Sequence, residues 1–406
     1  MRAFAPLVLL LAAWFGLIIP AAASAAKPDT LILVSIDGFR ADYLTHHKTP
    51  VIEGLARQGV TASMRPSYPS ETFPNHYTLV TGLRPDHHGI VANTMDDPVL
   101  GHFTMENSKD PRWWNGGQPL WITADEQGLK TAVMFWPGSD RVIRDRQPDY
   151  WRPYDKAFLA NDRVDQVLKW LDLPPNQRPA FVALYFDIVD TEGHRHGPNS
   201  KELDAALAST DAAVGRLVEG LKARGLFGTT NLIVTADHGM ADTAKDRLVY
   251  IDDIAGGADR IHAVTLGASA GLSIAPGAPR DTLARMLAPH DHAQCWAKAD
   301  APKALHYGSH PRVPPIICAA EVGWYITTHE RFASMKDFNL GNHGYDPASP
   351  YMAALFVAEG PAFKAGQTLP AFDNVDVEPL MTELLGLKAP KSDGSARVFK
   401  SVLAGH

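Results

Sequence analysis

Residues 31–38 read LILVSIDG, an apolar run broken only by Ser35 and followed by Asp37 and Gly38. Six residues without polar alternation have the pattern of a strand covered on both faces, as in a parallel sheet. Two further stretches repeat it: AFVALYFDI at 180–188 and NLIVTA at 231–236, the latter running into Asp237 and His238. Helical spacing lies between them. PVIEGLARQ at 50–58 predicts a short helix closed by Gly59, and Val164, Val167, Leu168 and Leu171 recur with a 3.6 period. So do Leu203, Leu207, Val214, Leu217 and Leu221, before a stop at Gly225. Strands alternating with amphipathic helices predict an α/β protein: a mainly parallel central sheet flanked by helices. From about 243 to 339 the strands shorten, Gly and Pro become frequent and one helix falls near Asp281–Leu287. This stretch is expected to form a smaller inserted α+β lobe. Tyr351–Ala358 and a helix over 377–387 resume the main pattern.

The composition narrows the class. The chain has 406 residues, 45% hydrophobic and 20% charged, with a formal charge of -7. That is a folded chain without the basic excess of a nucleic-acid-binding surface. Two cysteines rule out a disulfide-stapled scaffold and a CxxC-type zinc finger, while seventeen histidines direct attention to metals. Arg2, an apolar run from Ala3 to about Pro20 and the small residues Ala23, Ser24 and Ala25 form the pattern of a cleaved secretory signal over 1–25. After Lys27 no segment is long and apolar enough to span a bilayer, so the expected product is a soluble periplasmic or secreted protein, its domain covering 26–406. In that oxidising setting Cys295 and Cys318 either pair or remain two buried thiols; export favours the pair. Nothing in the sequence indicates an oligomeric state.

The chemistry gathers where strands end. In open α/β sheets ligands bind beyond the carboxyl ends of the strands. Asp37 follows the first apolar run, Asp187 and Asp190 the second with His194 four positions on, and Asp237 and His238 the third. His343 stands in the glycine-flanked stretch GNHG at 341–344. Any one of these serves equally well as a helix cap or a satisfied polar residue. Together, three carboxylates and three imidazoles suit two divalent ions with open positions for substrate, and the imidazoles favour zinc over magnesium or calcium. Thr72 opens the stretch TFPNHYTLVTG at 72–82, which reads as a helix start with Pro74 in the first turn and Gly82 at the stop. Spacing alone makes Thr72 an N-cap; its position also offers a hydroxyl nucleophile beside unpaired N–H groups.

The motifs VSIDGFRADYL, PSETFPNHYTLVTGLRPDHHGIVAN, WWNGGQPLW, FWPGSD, DTEGHRHGP, TADHGM and NHGYD, in this order from Leu31 onward, resemble the nucleotide pyrophosphatase/phosphodiesterase family of the alkaline phosphatase superfamily. The chain lacks the somatomedin-like and nuclease-like modules of larger animal members and resembles a minimal bacterial one. The resemblance implies an alkaline-phosphatase-like core holding two zinc ions. Thr72 would be the nucleophile; Asp37, Thr72, Asp237 and His238 would hold one zinc, and Asp190, His194 and His343 the other. Asn93 would bind a non-bridging phosphate oxygen, with Phe73 and Tyr154 on either side of a nucleobase. DIVD at 187–190 departs from the family's Glu-Pro-Asp ending but keeps the aspartate.

The implied reaction is a two-step displacement through a phospho-threonine, with charge on phosphorus met by the ions, Asn93 and the N–H groups of the helix start. The expected substrates are nucleotides, dinucleotides and nucleotide sugars. His76, His87 and His88 are left as supporting or surface residues. A sulfatase would need a cysteine or serine for formylglycine, and neither cysteine is near residue 72. Lysophospholipid-cleaving or phosphonoacetate-hydrolase-like chemistry shares the metals and the threonine, and a zinc-sequestering protein would share only the ligands.

Overall fold

The computed structural model describes Met1 and residues 30–405; the expected signal segment lies outside the described residues beyond Met1. At the centre is a nine-stranded sheet. Its strand order is Gln367–Thr368, Val60–Arg65, Ala354–Glu359, Thr230–Thr235, Thr30–Ile36, Phe181–Phe186, Thr131–Met134 and Tyr150–Arg152, with Phe372–Asp373 also pairing with Val60–Arg65. The three apolar runs are thus the three adjacent central strands, in parallel register with Val34 opposite Leu184 on one side and Val234 on the other. Leu31, Ile32, Leu33 and Val34 are wholly buried, each contributing about 1.5–3 kcal/mol of apolar transfer. Ala354–Glu359 runs antiparallel to both its neighbours, so the sheet is mainly rather than wholly parallel.

The amphipathic segments form Ala160–Leu171, Lys201–Ala223 and Pro50–Gln58, the first and last both packed on Lys201–Ala223. Pro50–Gln58 lacks a cap of its own. The Asp211 carboxylate accepts from Val51 N–H at 3.1 Å and Ile52 N–H at 2.9 Å, so the long helix caps the short one. Thr72–Thr81 begins at the expected residue and ends at Gly82, whose φ of +64 suits glycine. It packs against Val377–Leu384.

One segment differs from its sequence reading. The strand expected over 180–188 stops at Phe186, and Ile188–His196 is a helix. Asp187 turns the chain, and the apolar Ile188 and Val189 that lengthened the run belong to the first turn of that helix. The change matters because Asp190 and His194 then stand one turn apart on one face.

The inserted stretch contains an antiparallel sheet ordered Ile261–Thr265, Ser269–Ile274, Ile316–Ala320, Ala293–Ala297, backed by the helix Thr282–Leu287. It has its own apolar cluster, including Leu272, Met286, Ile316 and Ile326. Cys295 faces Cys318 across adjacent strands and the two form a disulfide. Ala241–Asp242 and Gly341–Asn342 pair antiparallel where the chain leaves for and returns from this stretch. Among the described residues no helix is long and apolar enough to cross a membrane.

Candidate metal centre and active site

Four segments of the chain converge. Asp37 follows the central strand; Asp237 and His238 follow its neighbour; Asp190 and His194 come from the helix after the third; His343 follows the Gly341–Asn342 strand. His238 Nε2 lies 3.0 Å from Asp237 Oδ2 and 3.4 Å from Asp37 Oδ1. Around Asp190 Oδ1 stand His194 Nε2 at 3.4 Å and His343 Nε2 at 3.6 Å. The rings of His238 and His343 stack at 3.6 Å, so the two groups are neighbours. Gly38 makes room: its φ is +69, and a Cβ there would lie 3.0 Å from the Asp190 Cα.

The donor set fits divalent ions. Asp37 Oδ1, Asp190 Oδ1 and Asp237 Oδ2 are buried and have no hydrogen-bond partner, although ring nitrogens stand close to each. Each histidine is oriented by a backbone carbonyl: His238 Nδ1–H donates to Gly239 O at 2.9 Å, His194 to Gly341 O at 2.8 Å and His343 to Ser70 O at 2.8 Å. That leaves the Nε2 edge of each ring turned to the carboxylates, the arrangement that orients metal-binding imidazoles. Three overlapping triplets of ligand atoms, Asp190–His194–His343, Asp37–Asp190–His238 and Asp37–His76–Asp237, each lie within 4.8 Å of one another and suit imidazole–carboxylate coordination.

Electrostatics agree. Burial and the neighbouring charges of Asp237 and Asp190 push the Asp37 carboxyl well above the usual carboxylate range. Burial also opposes the charge on Asp237, but His238 and His76 outweigh it and hold the carboxyl well below that range. His343 is lowered by burial and by the nearby His238 and His194, which keeps its imidazole neutral. A cluster of buried carboxylates that can ionise together only at a cost is one that a cation stabilises.

Thr72 sits at the first position of its helix, with Oγ1 3.3 Å from His238 Nε2. The site and its surroundings form a cleft of about 840 Å³, lined among others by Thr72, Phe73, Asn93, Tyr154, Asp190 and His343. Asn93 Oδ1 accepts from Phe73 N–H at 2.8 Å, so the Asn93 amide has its Nδ2 left to donate. This corrects one expectation. The first-turn N–H groups are mostly spent within the protein: Phe73 donates to Asn93, Asn75 donates to Glu71 O at 3.1 Å and Pro74 has none. Among the described residues, the Thr72 N–H is the one first-turn donor left for a phosphoryl oxygen. Phe73 packs edge-on to Phe103 and tilted on Trp114, and Tyr154 is half-exposed beside Phe135.

The structure also supplies residues that the sequence reading left aside. His76 is wholly buried, donating from Nδ1 to Thr72 O at 2.9 Å and meeting Ser35 Oγ at Nε2, so it supports the helix start from below. His88 is buried against Thr78, while His87 is exposed beside Asp393. Tyr185 donates to Asp37 Oδ2 at 2.6 Å from the neighbouring strand, a pairing set by the register of Ser35 opposite Tyr185. Asp187, three residues before Asp190, accepts from Tyr154 and from the buried Arg163. Glu71 was passed over: burial raises its carboxyl above the ordinary range against the pull of the Asn93 N–H and the Ser269 hydroxyl.

Two neighbouring groups of candidate metal ligands with a helix-start hydroxyl beside them, at the carboxyl edge of a mainly parallel sheet, fit the alkaline phosphatase superfamily. Residues 31–346 match the family described as Type I phosphodiesterase / nucleotide pyrophosphatase, and the chain belongs to that family. It is 40% identical over 384 residues to the venom phosphodiesterase CdcPDE of Crotalus durissus collilineatus, covering 91% of this chain and 46% of that one. The chain spans about half the length of the venom phosphodiesterases it matches. With the human bis(5'-adenosyl)-triphosphatase ENPP4 it shares 36% identity, over 94% of this chain and 83% of that protein. Among solved structures, murine ectonucleotide pyrophosphatase / phosphodiesterase 5 superposes with a TM-score of 0.87 at 34% identity, covering 92% of this chain and all of that one. An inactive threonine-to-alanine form of the murine protein, in complex with AMP, also superposes at 0.87 and 33% identity, over 93% of this chain and all of that one.

Proposed function

We propose that this chain hydrolyses nucleotide phosphodiester and pyrophosphate bonds, releasing a nucleoside monophosphate. The observation that carries the reading is the Thr72 hydroxyl at a helix start, 3.3 Å from His238 Nε2 and flanked by Asn93 and Phe73 in one cleft. Two zinc ions, one held by Asp37, Thr72, Asp237 and His238 and the other by Asp190, His194 and His343, would supply the positive charge that acidifies the Thr72 hydroxyl and neutralises the phosphoryl oxygens.

Thr72 Oγ attacks phosphorus in line. The Oγ–P bond forms, the bond to the leaving oxygen breaks and the hydroxyl proton passes to solvent. Asn93 Nδ2 and the Thr72 N–H donate to non-bridging oxygens as charge builds on them. The product of this half is a phospho-threonine with the nucleoside still attached. Water then attacks the same phosphorus from the side the leaving group vacated, and the P–Oγ bond breaks to free Thr72. Phe73 and Tyr154 hold a planar base by its faces, the geometry in which an aromatic pair is worth more than an aliphatic wall.

The AMP complex of the murine relative supports a nucleotide in this cleft. The Cys295–Cys318 disulfide, with the Arg2-led apolar segment, supports an exported protein. Chromatographic analysis of ATP products from the zinc-loaded protein tests the assignment. AMP plus pyrophosphate is expected. ADP plus phosphate would overturn it, and turnover of bis(p-nitrophenyl) phosphate without ATP cleavage would move the substrate to a non-nucleotide diester.

A further inference from the structure

Asn93 is held at two points, and both holds pass through the nucleophile turn. Its Oδ1 accepts from Phe73 N–H at 2.8 Å, and its own backbone N–H donates to Glu71 Oε2 at 2.6 Å. Glu71, Thr72, Phe73 and Asn93 therefore close a ring of covalent and hydrogen bonds around the nucleophile. The second carboxylate oxygen of Glu71 accepts from the Ser269 hydroxyl at 3.1 Å, on the lobe strand Ser269–Ile274. The carboxylate end of this clamp is out of water: Glu71 is 9% exposed and Ser269 is 7% exposed. Pinned at both its backbone N–H and its side-chain Oδ1, Asn93 has little freedom to swing the Nδ2 donor, and a donor fixed before charge develops stabilises the transition state more than a mobile one.

We infer that Glu71 is a positioning residue that sets the Asn93 donor against the reacting phosphoryl group, and that Ser269 brings the inserted lobe into this clamp. The inference rests on the diesterase reading above, with Asn93 as a phosphate donor. It gives the lobe a part in catalysis: a side chain about 200 positions along the chain steadies the carboxylate that steadies Asn93.

A double-mutant cycle tests it with bis(p-nitrophenyl) phosphate, reading kcat and KM separately. Asn93→Ala lowers kcat by about 10²-fold, as loss of one such donor does. Glu71→Ala is expected to lower kcat by about tenfold with KM nearly unchanged, and by less than twofold once Asn93 is already alanine. Glu71→Gln keeps an oxygen for the Asn93 N–H and recovers most of the loss. An equal fall in both backgrounds would mean a general structural role and would overturn the inference, as would no fall at all. Should Glu71→Ala not fold, Ser269→Ala is run through the same cycle with a smaller loss expected, again only where Asn93 is present. Wild-type kcat in Asn93→Ala alone would overturn the phosphate-donor reading and the clamp with it.

Discussion

Tyr154 donates its phenolic proton to Asp187 Oδ2 at 2.8 Å, so the hydroxyl on the wall of the cleft is committed to the protein and its ring face is what remains for a ligand. Asp187 is in turn held by Arg163 Nη1 at 2.8 Å, and Arg163 is buried. Tyr154 thus stands on an ion pair.

Tyr154→Ala should therefore raise KM for nucleotide substrates by about tenfold, within the 1–3 kcal/mol that a base–aromatic stack contributes, and leave bis(p-nitrophenyl) phosphate less affected. Tyr154→Phe keeps the face and should stay within about threefold of wild type by the same reasoning. Asp187→Ala does both kinds of harm: it frees the ring and leaves Arg163 buried without its carboxylate, a loss of about 3–5 kcal/mol for a buried pair. Steady-state kinetics on both substrates, beside thermal melts, separates the two effects.

Thr72→Ala should abolish turnover by at least ~10³-fold while the protein stays folded, since nucleophile removal leaves only residual catalysis. Six of the seven proposed ligand residues remain, so zinc content by atomic absorption should be retained. Undiminished hydrolysis would remove Thr72 from its role.

Chelation should silence the enzyme and also lower its melting temperature. Asp37, Asp190 and Asp237 each keep an unpartnered buried oxygen when nothing is bound. A ligand at a hundredfold excess over its Kd adds about 2.7 kcal/mol to folding stability. Zinc added back after EDTA should restore both activity and Tm; a Tm indifferent to EDTA would show that the site holds no ion.

Two buried groups outside the lining of the cleft set opposing slopes of stability with pH. Burial pushes the Glu378 carboxyl up from 4.5 to about 7, despite the hydroxyl of Thr382 at 2.6 Å. Between those values the folded chain keeps a proton that the unfolded chain has released, so this stability is full below 4.5 and is lost as pH rises through 7. Burial pulls the His88 imidazole down from 6.5 to about 3. Its contribution is full above 6.5 and is lost as pH falls toward 3. Glu378→Gln should raise Tm at pH 8 and flatten the descending limb, worth roughly 3 kcal/mol at 1.36 kcal/mol per unit. Chemical denaturation across pH 4–9 reads both limbs, and an unchanged slope in Glu378→Gln would refute the assignment.

Local pattern exposed much of this centre in the sequence. A doubly covered strand must be apolar throughout, so Asp37 and Asp237 stand out as the first charges after one. His343 is marked by the glycines around it. Pattern failed where a turn joined two apolar pieces: Ile188 and Val189 continued the run from Phe181–Phe186, hiding the helix that aligns Asp190 with His194. It failed again where a partner comes from another strand or from the lobe. The pairing of Tyr185 with Asp37 follows from sheet register, and that of Glu71 with Ser269 from a contact 198 positions apart. The i, i+4 spacing of Asp190 and His194 was the one available signal for the hidden helix.

The paired strands Ala241–Asp242 and Gly341–Asn342 bring the two ends of the insertion side by side. A detour that leaves and rejoins at one point can grow, shrink or be exchanged over generations while His238 and His343, just outside it, keep their places. Ser269 is the point where that detour touches the nucleophile turn, through its hydrogen bond to Glu71.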